Sequence, residues 1–158
     1  MVDADTFRSV LGRFASGVTI VTARDDGGHD HGMTVSAFAS VSLSPPLVLM
    51  CVDHAASMHE LLRGHPRFGI NILSANQEAY SRRFADEGET NRFDGIAYTR
   101  GESGVVLLDD ALAHLECRAL AHHDAGDHTV FIAEVERASP RHGRPLLYYR
   151  GGYAQLER

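Results

Sequence analysis

The sequence contains no lysine and no tryptophan, and only two of its residues are cysteines. The 15 basic side chains are therefore all arginines. The lack of lysine excludes a phosphate-binding loop of the Walker type and Schiff-base chemistry such as that of pyridoxal-phosphate enzymes, because both require a lysine. Cys51 and Cys117 lie in apolar stretches and have no CxxC spacing, so we expect two buried free thiols.

Long apolar runs and an excess of positive charge are also absent. The longest apolar run, residues 47–52, is far too short to span a bilayer, and the amino terminus lacks the basic-then-apolar pattern of a signal peptide. The formal net charge of -6 disfavours nucleic acid or an anionic membrane as the main partner. The sequence therefore predicts a cytoplasmic protein with no nucleic-acid partner and no membrane partner, folded as a single domain over residues 1–158.

Several common catalytic motifs are missing as well. There is no G-x-G-x-x-G fingerprint, so a nicotinamide cofactor would not bind on a Rossmann unit. The stretch 59–63 begins like a zincin motif but lacks the second histidine, and no G-x-S-x-G nucleophile elbow occurs. Zinc-protease and α/β-hydrolase sites of these types are thereby excluded.

Hydrophobic periodicity predicts many short strands and a few short helices. Two capping boxes mark helix starts, with Ser57 and Ser74 as the expected N-caps. Most strands are joined as hairpins, which favours a mainly β, antiparallel fold, and a barrel with flanking helices is the predicted architecture. The run 47–52 is apolar on both faces, which predicts a central strand. The predicted helices cover 3–16, 57–64 and 74–85, and the predicted strands cover 18–23, 33–42, 47–52, 68–72, 112–121, 129–138 and 146–149.

The predicted strand 33–42 is the first candidate site, because small hydroxyl side chains alternate with apolar residues along it. Thr34, Ser36, Ser40 and Ser42 would share one face, and small residues would let a flat ring approach the backbone. A planar heterocycle with many hydrogen-bonding atoms, such as an isoalloxazine, suits that face. An ordinary half-exposed strand alternates in the same way, so this pattern alone leaves both interpretations open.

The helix start predicted at Ser57 is the second candidate, as an anion site. Free backbone N–H groups, the Ser57 hydroxyl and the His59 imidazole would all offer donors to an anion. A ring on the strand 33–42 and a phosphate at this helix start would be the arrangement of a bound flavin nucleotide. Every capped helix offers similar donors, so the pattern is weak by itself.

The histidine-rich segment 122–128 is the third candidate and is expected to form a turn. Its histidines and aspartates are metal-ligand types, and His29 and His31 could add to them. The spacing fits no common zinc pattern, however, so no metal site is predicted. The favoured interpretation places His128 at the mouth of a pocket, where its imidazole donates to a cofactor.

Several short segments, taken together and in order, resemble a known family, although none of them is specific by itself. From about Thr6 to Leu156, the chain resembles the flavin reductase-like family, the small reductase components of two-component flavin-dependent monooxygenases. Family members often have proline where Val106 stands, which puts the shape of the turn 101–108 in doubt. The segments that carry the resemblance are 14–22, 32–38, 40–48, 68–73, Phe84-Ala85, Arg92-Phe93, 126–128 and 145–151.

The resemblance implies an antiparallel Greek-key split β-barrel of the FMN-binding type that forms a homodimer. It implies an NAD(P)H-dependent flavin reductase that uses NADH or NADPH to reduce diffusible FMN or FAD for a partner monooxygenase. Two alternatives stay open: an oxidase of the same barrel class that keeps its flavin, and a non-catalytic flavin-, haem- or metal-binding barrel. The lack of lysine, and of arginine between Arg24 and Arg63, counts against the first, since such oxidases surround a substrate phosphate with basic residues.

The resemblance also implies roles for individual residues. His128 is the predicted catalytic residue, since its motif is associated with the nicotinamide nucleotide and would orient it. Ser57 would hold the flavin phosphate, while Phe84 and Arg92 match positions close to the flavin. The full predicted cofactor-binding set is Thr34, Val35, Ser36 and Ala37 along the ring, Ser40, Ser42, Cys51 and Val52 along the ribityl chain, and Ser57, His59, Phe84, Arg92, Asp127, His128 and Tyr153.

Overall fold

The computed structural model describes residues 1–157 and is mainly β, as predicted. Arg158, the last residue of the predicted domain, lies outside the described residues. The helices are α1 (Ala4–Leu11), α2 (His59–Gly64) and α3 (Glu78–Ala85), and a single 3-10 turn (Ala75–Gln77) precedes α3. The strands are β1 (Ser16–Gly17), β2 (Thr19–Arg24), β3 (Asp30–Val35), β4 (Phe38–Leu43), β5 (Pro46–Asp53), β6 (Arg67–Ile72), β7 (Tyr98–Arg100), β8 (Val106–Leu108), β9 (Ala113–Ala125), β10 (His128–Pro140), β11 (Leu146–Tyr149) and β12 (Gly152–Gln155).

A seven-stranded sheet in the order β3-β2-β6-β9-β10-β5-β4 forms the body of the molecule. Every pairing in it is antiparallel, which confirms the predicted sheet type. Smaller sheets, β1-β11-β12 and β7-β8, flank it. The strand predicted to be central, β5, is instead next to the edge, because only β4 lies beyond it.

The sheet buries two apolar clusters. One cluster packs α2 against the sheet and includes Met50, Leu62 and Phe131. The other lies between β2, α3 and the smaller sheets and includes Phe84 and Leu146. No helix within residues 1–157 has the length and apolar character needed to cross a membrane.

Helix α1 is shorter than predicted. Asp3 is its N-cap and accepts a hydrogen bond from the Thr6 N–H at 2.7 Å. The helix ends at Leu11 rather than at residue 16, with Gly12 as its C-cap. The Gly12 carbonyl then accepts from the Arg150 N–H at 2.9 Å, so the following segment is drawn toward the β11–β12 turn. The helical spacing of apolar residues therefore continues to Phe14, although the chain is no longer helical beyond Leu11.

The predicted strand 33–42 is in fact two strands that pair with different partners. β3 pairs with β2, β4 pairs with β5, and the chain turns between them at Ser36-Ala37, which we call the β3–β4 corner. The corner is held by backbone hydrogen bonds, from the Phe38 N–H to the Ser36 carbonyl and from the Cys51 N–H to the Ala37 carbonyl, each 3.0 Å long. The alternation of side chains does not reveal this change of partner, so the prediction of one strand was wrong.

The long hairpin has a much tighter turn than predicted. Strands β9 and β10 continue through most of the histidine-rich segment, and only Gly126-Asp127, the β9–β10 turn, connects them. Gly126 has a φ of +65°, a conformation that glycine adopts without steric cost. Strong strand pairing up to Ala125 and His128 therefore overrides the turn-forming composition of the segment.

The turn 101–108, where Val106 stands in place of the proline common in the family, is held by hydrogen bonds to strand β9. The Glu116 carboxylate on β9 accepts hydrogen bonds from the Ser103 N–H (2.9 Å) and the Ser103 hydroxyl (2.6 Å). Val106 is buried, and its carbonyl accepts from the Thr22 hydroxyl at 2.7 Å. These hydrogen bonds thus hold the backbone of the turn, which a proline at position 106 would otherwise restrict.

Candidate functional site

The β3–β4 corner places several predicted ring-binding residues beside β5. Because the Cys51 N–H donates to the Ala37 carbonyl, the two chain segments are in direct contact. Ser36 is half-buried and Ala37 is exposed, whereas the side chains of Val35 and Val52 point into the core. Val35 and Val52 can therefore offer a ligand only their backbone groups.

An open groove of about 490 Å³ adjoins the corner, a size typical of small-molecule sites. Its walls come from α1, from the corner and from the β11–β12 region. They are mostly apolar, with Arg8 and Arg150 as cationic groups. Ser36 and Ala37 of the corner form part of this lining.

The predicted serines on β4 do not share one face. A β-bulge lies between Ser40 and Ser42, so that Ser40 is opposite Val48 and Ser42 is opposite Leu47 on β5. Val48 is buried and Leu47 is only half-buried, so the two serines lie on opposite sides of the sheet. The extra residue, Val41, causes this reversal, and the prediction of a continuous hydroxyl face was wrong.

The Thr34 hydroxyl is used within the protein. It donates to the Ser81 carbonyl on α3 at 2.7 Å. The Ser81 hydroxyl is in turn 2.7 Å from the Tyr153 hydroxyl, and the Arg82 guanidinium lies over the Tyr153 ring. Thr34 and Tyr153 therefore both contact α3. The Thr34 side chain lies on the opposite side of β3 from Val35. Thr34 and Tyr153 do not share one surface with Ser36.

A second cavity, of about 250 Å³, brings Ser57 and Arg92 together. It lies between the start of β3, the segment Ser57-Met58 and the loop 87–93. Its lining also includes the acidic residues Asp30, Glu87 and Glu89. We call it the Arg92 cavity.

Arg92 closes this cavity with a largely buried guanidinium. One terminal nitrogen donates to the Gly32 carbonyl at 2.6 Å, and the other donates to the Asp86 carbonyl at 2.7 Å. The Nε atom is buried and has no hydrogen-bond partner. Glu87 lies 3.8 Å from one terminal nitrogen, so the guanidinium is held mainly by groups of the protein itself.

Phe84 lies in the core next to the Arg92 cavity. Its ring is 1% exposed and packs edge-to-face on Phe93, with the ring centres 5.1 Å apart. A Cβ at Gly32 would lie 2.5 Å from the Phe84 ring, so only glycine fits at that position of β3. Phe84 thus shapes the wall of the cavity from within the core.

Ser57 does not cap a helix, contrary to the prediction. The helix begins at His59 with Met58 as its N-cap, and no side chain caps it. Asp53 instead organises the preceding chain, since its carboxylate accepts the Ala55 N–H and its carbonyl accepts the Ala56 N–H. The predicted anion site at a Ser57 helix start is therefore absent from this six-residue helix.

His59 is not free to donate to a ligand. Its ring is 4% exposed, and its Nε2 lies 2.7 Å from the Thr129 hydroxyl. Its Nδ1 lies 3.3 Å from the Glu60 carboxylate. The ring is thus buried and its Nε2 is used within the protein, which corrects the expectation that His59 adds a donor to a phosphate site.

The β9–β10 turn presents His128 beside two carboxylates. The His128 Nδ1 is 2.7 Å from the Asp127 carboxylate, and His128 faces Asp53 across the strand pair. The hydrogen bond and charge of His128 lower the pKa of Asp127. The Asp127 carbonyl accepts from the His54 N–H at 2.9 Å, so the turn rests on the β5–α2 loop, residues 54–58. The His128 side chain is 40% exposed, as a ligand-binding group requires.

Known proteins match this chain along almost its whole length. Residues 11–157 match the model of the flavin reductase like domain. The chain belongs to the flavin reductase-like family. It is 43% identical over 153 residues to the FMN reductase (NADH) SmoA of Agrobacterium fabrum, with 97% of this chain and 86% of that protein covered. It is 37% identical over 159 residues to HsaB, the reductase subunit of a flavin-dependent monooxygenase from Mycobacterium tuberculosis, with 99% and 84% covered.

The fold is also shared with a solved flavin reductase. The NADH:FAD oxidoreductase of Streptomyces globisporus, in complex with NAD and FAD fragments, matches with a TM-score of 0.92 at 39% identity. The match covers 99% of this chain and 96% of that one. The flavin reductase-like family thus accounts for both the sequence and the mainly β fold.

The histidine-rich segment of this flavin reductase-like chain does not gather its side chains. His122 and His123 are neighbours on β9 and point to opposite faces of the sheet, and His122 packs near Phe131. Within residues 1–157, no three His, Cys, Asp or Glu side chains converge to hold a metal ion.

Neither cysteine is poised as a nucleophile. Both are free thiols, with Cys117 buried and Cys51 half-buried. Burial raises the pKa of Cys51, and burial together with Glu136 and Glu116 raises the pKa of Cys117 to about 12. Both thiols are therefore protonated at neutral pH.

Sequence reasoning missed three residues that organise the site: His54, Ser81 and Thr129. Thr129 follows His128 directly, and the alternation of β10 places its side chain on the buried face. The alternation of β10 can be recognised in the sequence. The contacts of Ser81 and His54 cannot, because their partners are distant along the chain and leave no local pattern.

Proposed function

We propose that this chain is a flavin reductase that takes hydride from NADH, passes it to FMN or FAD, and releases the reduced flavin to a separate flavin-dependent monooxygenase. The observation that carries the proposal is the near full-length similarity to NADH-dependent flavin reductases, together with the contact between the β3–β4 corner and β5. We propose further that residues 1–158 act as one domain in the cytoplasm, where flavin and NADH are available.

The proposed reaction requires no reactive side chain from the protein. Hydride transfer between a nicotinamide and a flavin needs alignment of two rings and exclusion of water, and the cofactors supply the reactivity. The residues at the corner and the β9–β10 turn include small hydroxyls, backbone groups and one half-exposed imidazole. Both thiols are protonated, so no cysteine competes as a nucleophile.

The flavin is proposed to bind across the β3–β4 corner. Its ring would contact the backbone of Thr34–Ala37, and its ribityl chain would follow β4 and β5 near Cys51. Its phosphate would lie near Ser57, in the cavity that Arg92 also lines. This arrangement replaces the helix start that the sequence predicted.

His128 is proposed to bind the nicotinamide nucleotide. Its Nδ1–H is directed to Asp127, so a neutral ring offers Nε2 as an acceptor for an amide N–H of nicotinamide. This proposal replaces the donor role that the sequence predicted for His128. Asp53, Asp124 and Asp127 lie around this histidine and its strand neighbours. A further phosphate, as in NADPH, would meet like charge there, so we expect NADH to be preferred.

The outer face of the sheet supports a homodimer. Ala39, Leu49 and Ile132 are opposite one another on β4, β5 and β10, and none of them is fully buried in the single chain. Edge strand β4 also exposes Val41 (46%) and Leu43 (91%). An apolar face that continues to a free strand edge is typical of an interface, and a second copy of this chain is the proposed occupant.

The deciding experiment measures oxidation of NADH and NADPH by the purified protein with added FMN, added FAD or no flavin. We expect turnover that depends on added flavin and that continues without oxygen until the flavin is reduced. Turnover that requires oxygen and a retained flavin would instead identify an oxidase. Absence of turnover with every pair would contradict the proposal, and the absorption spectrum of the protein would then test for bound flavin, haem or metal.

A further inference from the structure

A buried hydroxyl lies at the centre of a polar cluster beneath the β9–β10 turn. Thr129 is 0% exposed. Its Oγ1 lies 3.0 Å from the Asp124 carboxylate, 2.7 Å from the His59 Nε2 and 3.1 Å from the His54 Nε2. The two imidazoles also contact each other edge-to-face, with ring centres 5.0 Å apart.

The hydrogen-bonding capacity of the Thr129 hydroxyl is fully used. A hydroxyl has one proton to donate and two lone pairs to accept with. An ionised carboxylate can only accept, so the Thr129 proton is directed to Asp124, and this hydrogen bond lowers the pKa of the Asp124 carboxyl. The oxygen then accepts from the Nε2–H groups of both His54 and His59. One hydroxyl thus sets the position of two rings and a carboxylate.

The cluster connects two segments that are distant in sequence. His54 and His59 come from the β5–α2 loop and from the start of α2, whereas Asp124 and Thr129 flank the β9–β10 turn. The backbone adds a second link, from the His54 N–H to the Asp127 carbonyl at 2.9 Å. His128 lies between these two links.

We propose that Thr129 is a positioning residue for the nicotinamide nucleotide: its hydroxyl, shared by Asp124, His54 and His59, holds the β9–β10 turn on the β5–α2 loop and thereby orients His128. The inference rests on the proposed function, since it assumes that His128 binds the nucleotide. Thr129 itself is buried and does not touch the ligand.

The surroundings explain why the effect should be confined to the nucleotide. The hydroxyl contacts the turn and the two histidines at the ends of the β5–α2 loop. Ser57, in the middle of that loop, is held in place independently, because Asp53 accepts the N–H groups of Ala55 and Ala56. The proposed ring site at the β3–β4 corner is held by the separate hydrogen bond between Cys51 and Ala37. Loss of the hydroxyl would leave Asp124, His54 and His59 without their shared partner, and the turn would lose its fixed orientation.

The test replaces Thr129 by valine, which keeps the shape and removes the hydroxyl, and by serine, which keeps the hydroxyl. We expect Thr129→Val to raise the KM for NADH about tenfold or more, with kcat and the Kd for flavin changed less than about threefold. Thr129→Ser should restore a KM within about threefold of wild type. In a His128→Ala background, Thr129→Val should have little further effect, because it acts through His128.

The matched control is Thr22→Val. Thr22 is also a 0% exposed threonine, and its hydroxyl donates to the Val106 carbonyl away from the turn. It should lower the melting temperature without raising the KM for NADH. If Thr129→Val does not fold, His54→Ala replaces it, since the His54 side chain is 39% exposed and its removal should raise the same KM.

The outcomes separate the two proposals. A wild-type protein that oxidises no NADH with any flavin overturns the proposed function and this inference with it. An active wild type whose KM rises in His128→Ala but not in Thr129→Val or His54→Ala overturns the inference alone. Equal KM increases in Thr22→Val and Thr129→Val would show a general loss of stability and would also overturn it.

Discussion

His128 has one ring nitrogen, Nδ1, hydrogen-bonded to Asp127, while Nε2 has no hydrogen-bond partner within residues 1–157. Nδ1 is held by Asp127, whose lowered pKa keeps that carboxyl ionised at neutral pH. Within the part of the chain that the structure describes, this is the contact that fixes the ring. A residue held in this way can recognise a ligand without a large loss of side-chain entropy on binding.

Replacing His128 by alanine should therefore impair the use of NADH and spare the flavin. Loss of one hydrogen bond to the nucleotide predicts a KM for NADH raised about tenfold or more. The Kd for FMN or FAD, from a fluorescence titration, should change less than about threefold. The exposed His142, which lies far along the chain from the turn, is a matched control, and His142→Ala should leave both values unchanged. Loss of flavin binding in His128→Ala would contradict the assigned role.

At the scale of elements, Gly32 decides how closely β3 packs on α3. Adding a methyl group there places it 2.5 Å from the Phe84 ring and 3.0 Å from the Phe93 ring. Overpacking of this kind costs about 1–3 kcal/mol. Gly32→Ala should therefore lower the free energy of unfolding by that amount in denaturant titrations. It should also weaken flavin binding, since the Gly32 carbonyl holds Arg92.

A glycine with free space is the control for this prediction. No atom lies within 4 Å of a Cβ built on Gly64 in α2, and its backbone conformation suits any residue. Gly64→Ala should be neutral or slightly stabilising. If the two variants were equally stable, close packing between Gly32 and Phe84 would not be what requires glycine.

The anchoring of the 101–104 turn by Glu116 makes the stability of the protein depend on pH. Burial raises the pKa of Glu116, but the hydrogen bonds from Ser103, the charge of Arg137 and the Glu102 N–H together outweigh burial, and the net pKa is lowered from its ordinary value of 4.5. The stabilisation is therefore complete above the unfolded pKa and is lost as the pH falls through the lower folded pKa. Melting temperatures measured from neutral pH down to about pH 3 should show this loss.

Glu116→Gln tests the origin of that dependence. It keeps one acceptor oxygen but removes the charge, so it should cost about 1–2 kcal/mol at neutral pH. The difference in melting temperature between Glu116→Gln and wild type should shrink as the pH falls, because the wild-type carboxylate becomes protonated. A constant difference at all pH values would show that the charge of Glu116 does not stabilise the turn.

Most strands and helix α3 could be predicted from local pattern, because burial on one face produces the alternation or the helical period that the sequence shows. The limits of β11 were predicted correctly, and β5 and β6 were predicted within one residue at each end. The β3–β4 corner could not be predicted in this way. Its side chains alternate without interruption, and only the change of pairing partner from β2 to β5 divides the strand.

The site shows the same limit. The motif around His128 and the position of Ser57 shortly after β5 depend on short stretches of chain and can be recognised in the sequence, whereas their roles stay predictions. The helix start at Ser57 was predicted wrongly, because Asp53 takes up the backbone N–H of Ala55 and the helix begins later. The contacts of Thr34 with Ser81 and of Arg92 with Gly32 join distant residues, which no local pattern reveals.

At the scale of the whole molecule, the proposed dimer depends on the row formed by Ala39, Leu49 and Ile132. Leu49→Arg places a charge at the centre of that row and should convert the dimer to a monomer, as measured by light scattering coupled to size-exclusion chromatography. The control is Leu156→Arg, at a residue that is 47% exposed outside the strands, and it should leave the mass unchanged. A folded wild type with the mass of a single chain would overturn the dimer directly.

The two residues of the β3–β4 corner also limit the shape of the sheet. β3 and β4 are its outermost strands, yet only Ser36 and Ala37 separate them. In a flat sheet of seven strands the two edges would be roughly 29 Å apart, whereas the chain from Val35 to Phe38 can span at most about 11 Å. The sheet must therefore curl until its first and last strands meet at this point. A flavin bound at the corner, as proposed, would therefore contact both edge strands of the sheet at once.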